Sequence, residues 1–224
     1  MNRSRVLLIA VVLVFSSHLG SAQDLSRYRA YVLDSSLESV LAASGARTAD
    51  TKTLHARPAK IQELEWRAPY VNSGSEMADP VRGAVFSFYN DALYQVVVTY
   101  DAGRTGGLTN SDIIESVAAL YGTPVLKSAR TRSQAALPDA VVLAQWESTG
   151  ASVTLLRAAY PAELQLVLLS KASSTRARTA ILEARRLDVI DAPRLELEQR
   201  QKEIADADVA REKMRTTNKA AFRP

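Results

Sequence analysis

The chain has 224 residues, with 28 Lys and Arg against 24 Asp and Glu, no cysteine and two histidines. The missing cysteines exclude disulfides, thiol nucleophiles and cysteine metal sites, and a single histidine beyond the leader leaves little for a transition-metal site built on nitrogen and sulfur. The excess of base is concentrated at the two ends: Arg3 and Arg5 open the chain, residues 173–224 hold 12 basic and 9 acidic residues, and residues 23–172 hold 14 and 15. That balance argues against a nucleic-acid-binding surface.

Residues 1–22 have the three parts of a cleavable secretory signal. Arg3 and Arg5 are followed by ten apolar residues, 6–15, and by small residues at Gly20, Ser21 and Ala22. Ten apolar residues are too few to span about 30 Å of hydrocarbon, which takes about 20. The expected product is periplasmic or secreted, with no stable membrane anchor after cleavage, and stabilised by its core because it lacks disulfides.

The next elements follow one another twice. Residues 37–45 (LESVLAASG) and 114–122 (IESVAALYG) share Glu, Ser, Val, Ala and Gly at a constant offset. Leu37, Val40 and Leu41 fall on one helical face, as do Ile113, Ile114, Val117, Leu120 and Tyr121. Ser35 with Glu38, and Thr109 with Asp112, read as capping boxes, and Gly45 and Gly122 as helix stops. Three strands are expected after each helix: 60–66, 83–89 and 94–100, then 140–146, 152–158 and 164–170. Asn90-Asp91 and Tyr160-Pro161 supply turns. Phe86 with Phe88, and Tyr94 with Val96 and Val98, are expected to share strand faces.

The predicted fold is α+β: tandem αβββ repeats over 23–107 and 108–172, helices packed on antiparallel sheet, and a helical tail over 173–224. The first repeat has longer loops, at 46–59 and at 69–80, the latter containing Asn72-Ser73-Gly74-Ser75. In the tail, Ala177, Ala180, Ile181, Ala184 and Leu187 predict a docking helix over 174–190. Pro193 is expected to end it, and a charged, solvated helix with pairs such as Glu198–Lys202 follows over 195–215. Leu197 and Ile204 are a heptad apart, but Arg211 takes the next position, so no sustained coiled coil is expected. Residues 218–224 are expected to be disordered.

Candidate chemistry is sparse, and no catalytic residue, metal site or cofactor is predicted. His55 lies in a polar stretch with no nucleophile or orienting acid nearby in sequence. The glycine-rich loop before the second helix holds Arg104, Gly106, Gly107 and Thr109. It could place an anion at a helix N-terminus, or it could simply carry the chain between repeats and cap the helix. Trp66 and Trp146 occupy equivalent strand positions and read either as a sugar-stacking pair or as packing.

Several stretches resemble an uncharacterised family of exported bacterial proteins: Tyr28-Arg29-x-Tyr31-x-Leu33, Phe86-Ser87-Phe88-Tyr89-Asn90, Val98-Thr99-Tyr100-Asp101 with Gly107-Leu108-Thr109, Tyr121-Gly122-x-Pro124, and Asn218-Lys219-x-x-Phe222-Arg223-Pro224. A helix followed by antiparallel strands, duplicated, is also similar to the fold of the outer-membrane assembly lipoprotein BamE and the β-lactamase inhibitor protein. The chain departs from the former in lacking a lipobox cysteine, and from both in carrying Asp34 where a helix-leading glycine is usual. The resemblance implies a binding module; export, the duplication, the absence of catalytic groups and the charged helical tail make a cell-envelope protein the expected partner, met through the sheet face or first-repeat loops. The alternatives are a small-molecule or glycan binder using the concavity between repeats, and a carboxylate-dependent hydrolase, which would require two acids roughly 5–10 Å apart.

Overall fold

The computed structural model describes residues 24–68, 79–129, 140–158 and 163–223. The predicted signal, the Asn72-Ser73-Gly74-Ser75 loop and the Tyr160-Pro161 turn lie outside them. The fold is α+β, with a two-stranded hairpin, an eight-stranded antiparallel sheet and a long C-terminal helix.

The hairpin β1 (Arg27–Tyr28) and β2 (Tyr31–Val32) leads into α1 (Leu37–Ser44). The N-cap of α1 is Ser36, whose hydroxyl accepts from the Ser39 amide at 3.2 Å, rather than the expected Ser35. Ser35 is already committed, because its carbonyl accepts the Leu93 amide at 2.9 Å and its own amide donates to Val32. Gly45 closes the helix at φ 70°, where a side chain would be strained.

Four strands follow: β3 (Thr51–His55), β4 (Ile61–Arg67), β5 (Val81–Tyr89) and β6 (Ala92–Tyr100). Asn90 and Asp91 both have positive φ, 47° and 64°, giving the tight β5–β6 turn, and the Asn90 side chain accepts from the Lys60 amide. A short helix α2 (Ala102–Thr105) and then α3 (Asn110–Tyr121) precede β7 (Leu126–Ala129), β8 (Val141–Glu147), β9 (Ala151–Ala158) and β10 (Glu163–Ser170). Each half thus adds an edge strand, β3 or β7, before the three expected from sequence.

The strand order β3-β4-β5-β6-β10-β9-β8-β7 is symmetric about the central β6–β10 pair, where Val97 faces Val167. One sheet face packs against α1, α3 and the hairpin. Phe86, Leu64, Val98 and Leu155 are fully buried there beside Val40, Ile113 and Val117. Phe86 and Phe88 share this face, as expected. Tyr94 does not share a face with Val96 and Val98: the register passes from Ser87–Gln95 to Phe88–Leu93, so Tyr94 is an extra residue turned to the far side.

On that far side Tyr94 and Ile61 receive α4 (Lys171–Ala221) through Ala177 and Ala180. Small side chains let the helix axis approach the sheet closely. Pro193 does not end the helix, which runs for 51 residues, about 75 Å at 1.5 Å per residue. The packed start anchors one side of the proline. Across it, Arg194 reaches back to Asp191 at 3.5 Å and forward to Glu198 at 2.6 Å, and Asp191 is also paired with Arg57. These ion pairs span the turn that holds Pro193, where one backbone hydrogen bond is missing. Glu198 therefore pairs with Arg194, not with the expected Lys202. Residues 193–223 are all exposed, and the helix continues to Ala221, into the stretch expected to be disordered.

Candidate functional site

A concavity of about 660 Å³ opens on the helix-bearing side, between the N-terminal hairpin and α2–α3. Its floor is Leu155 of β9 and Leu164 of β10, and its α3 wall is Ile113, Val117 and Leu120. The hairpin and β6 supply Tyr28 and Tyr100, and the end of α3 supplies Tyr121. Arg27, Arg29 and Arg104 stand around it, with Asp24 as the one lining carboxylate among the described residues.

Each wall is fixed by its own chemistry. The Tyr121 hydroxyl donates to the Arg27 carbonyl at 2.9 Å, tying α3 to the hairpin. Arg29 sits in the left-handed region, φ 54°, and is held by two bonds to Asp79 at 2.5 and 2.8 Å while its guanidinium lies 5.3 Å from the Tyr28 ring centre. That pairing holds the Asp79 carboxyl below its ordinary range. Burial pushes the hydroxyls of Tyr28, Tyr100 and Tyr121 upward. All three therefore stay neutral phenols across physiological pH. The volume falls in the range of about 300–1,000 Å³ typical of ligand pockets, and the walls are largely apolar.

The structure separates the four residues of the predicted anion loop. Arg104 lines the cleft, whereas Gly106 and Gly107 border a smaller recess with Arg157 and Glu163. Gly107 has φ 80° and turns the chain into α3. Thr109 caps α3 in a full capping box: its hydroxyl accepts the Asp112 amide, and Asp112 accepts the Thr109 amide at 2.7 Å. The Asp112 carboxylate, its pKa lowered by Thr109, occupies the place an anion would take at this helix end.

The tryptophans part company as well. Trp146 is 1% exposed, packs on Tyr121 with ring centres 6.3 Å apart, and donates its indole N–H to the Gly122 carbonyl at 2.6 Å. It has no free ring face for a sugar. Trp66 is half-buried against the same core and lines a shallow recess with Arg67 and Arg82. His55 Nδ1 lies 3.7 Å from Asp188, so it links β3 to α4.

Asp34 has φ 63°, the conformation for which glycine is favoured. Its carboxylate accepts from the hydroxyls of Ser170, at 3.0 Å, and Ser173, at 2.5 Å, at the N-terminus of α4. A side chain at this position thus joins the hairpin to the tail helix, which a glycine could not do.

Among the described residues, no group of three or more His, Asp or Glu side chains could hold a metal ion, and no helix is long and apolar enough to cross a membrane. No protein-family model, curated protein or solved structure matches the chain.

Proposed function

We propose that the chain is an exported, non-catalytic binding protein that holds a small, largely apolar molecule in the cleft between the hairpin and α3. The cleft carries this reading. Its volume lies within the range of ligand sites, and its walls are aliphatic and aromatic. A sheet-face site is less well supported, because one face lies under α1, α3 and the hairpin and the other receives α4.

The neutral dye Nile red provides the test. Its emission should rise saturably at one site per chain, and Ser116→Trp, which places an indole over the cleft from an exposed position, should remove the rise. An unchanged rise in the variant would put the dye elsewhere and count against the cleft. Export is tested separately: the mature protein should begin at Gln23, and retention of Met1 would contradict it.

A second reading, a cell-envelope protein as partner, is supported by the exposed helix beyond Pro193. There Leu197, Ile204 and Met214 are 56%, 62% and 60% exposed.

A further inference from the structure

We infer that the far end of α4, residues 209–223, is a docking surface for an anionic phospholipid bilayer. It lies on a different part of the molecule from the cleft and does not depend on what the cleft holds.

Charge along the projecting helix is sorted by position. Residues 194–208 carry three basic and five acidic side chains, a net of −2. Residues 209–223 carry Arg211, Lys213, Arg215, Lys219 and Arg223 against Glu212 alone, a net of +4. Glu196 and Lys219 stand about 35 Å apart along the axis at 1.5 Å per residue, several times the roughly 8 Å over which physiological salt screens exposed charges. Most of the acidic stretch therefore leaves the positive tip uncancelled.

That charge is largely uncommitted. Among the described residues Lys213, Lys219 and Arg223 form no ion pair, and Arg211 and Arg215 pair only with Asp208 and Glu212, three residues back on the same helix. The four side chains of those two pairs are at least 60% exposed, a setting in which an ion pair is worth little. Compensation of the helix dipole accounts for Lys219 in the last turn, but that influence fades within the turn and does not reach Arg211, Lys213 or Arg215.

Apolar groups accompany the basic ones. Arg211, Arg215 and Lys219 recur at every fourth residue and so run along one side of the helix. Phe222 keeps the helical register, because its amide donates to the Asn218 carbonyl at 2.8 Å, and it falls beside that stripe three residues after Lys219. It is 76% exposed, and Met214, three residues after Arg211, is 60% exposed. A basic stripe flanked by an aromatic ring and a thioether suits the boundary between head groups and acyl chains: the cations meet lipid phosphates while Phe222 and Met214 enter the apolar layer. Residues 193–223 are all exposed, so nothing in the fold has to move to present this surface.

Flotation of the full chain with two kinds of vesicle tests the inference: pure phosphatidylcholine, and phosphatidylcholine with one third phosphatidylglycerol. The wild type should bind the anionic vesicles and lose them as salt is raised. Arg215→Gln/Lys219→Gln should weaken that binding at least about tenfold, since each basic residue near an anionic surface contributes several-fold in affinity. Arg200→Gln/Lys202→Gln, which removes the same charge from the acidic stretch, should weaken it less than about threefold. The leader is identical in all three chains, so its own affinity for lipid cancels in the comparison. Equal binding to both kinds of vesicle, equal losses in the two variants, or no binding at all would overturn the inference. Tip-dependent binding to a short DNA duplex at lower concentration than to the vesicles would assign the surface to nucleic acid and overturn the lipid.

Discussion

The two halves of the molecule share a plan and use it differently. Each supplies a helix and four antiparallel strands, and the halves meet edge to edge at β6 and β10. In the first half α1 has eight residues, and Trp66 on β4 stays half-buried. In the second half α3 has twelve, and Trp146 on β8 is sealed beneath Tyr121. The longer helix reaches far enough to form a wall, and the N-terminal hairpin stands opposite it rather than filling the space. A shared scaffold therefore carries a cleft beside the longer second helix, where the N-terminal hairpin stands opposite it.

The largest expected effect separates the tryptophans. Trp146→Ala removes a fully buried indole and orphans the Gly122 carbonyl, so it should cost about 3–5 kcal/mol in urea unfolding. Trp66→Ala, from a half-buried site, should cost about 1–2 kcal/mol. Equal costs would show that the two halves are packed alike. The helix caps give a smaller contrast. Thr109→Ala dismantles a reciprocal capping box and should cost about 1–2 kcal/mol, whereas Ser36→Ala, which loses one cap bond to the Ser39 amide and a 3.0 Å contact with the Ser39 hydroxyl, should cost about 0.5–1 kcal/mol. The smallest effect belongs to the tail: Ile204→Ser lies on a fully solvated stretch and should change stability by less than about 0.5 kcal/mol. A larger loss there would mean that the projecting helix is covered in solution.

Much of the scaffold was legible from local patterns. Thr109 and Asp112 marked the start of α3, Gly45 the end of α1, and Asn90-Asp91 a hairpin, because caps and tight turns are decided by a few adjacent residues. Edge strands were harder. Thr51–His55 has only Leu54 as a large apolar residue and is mostly exposed, so its strand state depends on pairing with β4 rather than on its own alternation. The bulge at Tyr94 and the continuity of α4 through Pro193 depend on contacts with distant residues, Ala177 and Arg57 among them. The cleft was invisible for the same reason. Its walls come from residues between 24 and 164 that no spacing rule connects, and Arg104 drew notice for a helix-end site that Asp112 already fills.

Hydrogen exchange with and without saturating Nile red tests the central claim most directly. The account predicts slowed exchange in the hairpin, 27–32, and along α3, 113–121, with residues 194–221 unchanged. Protection confined to the tail helix, or absent throughout, would contradict a ligand site between the hairpin and α3.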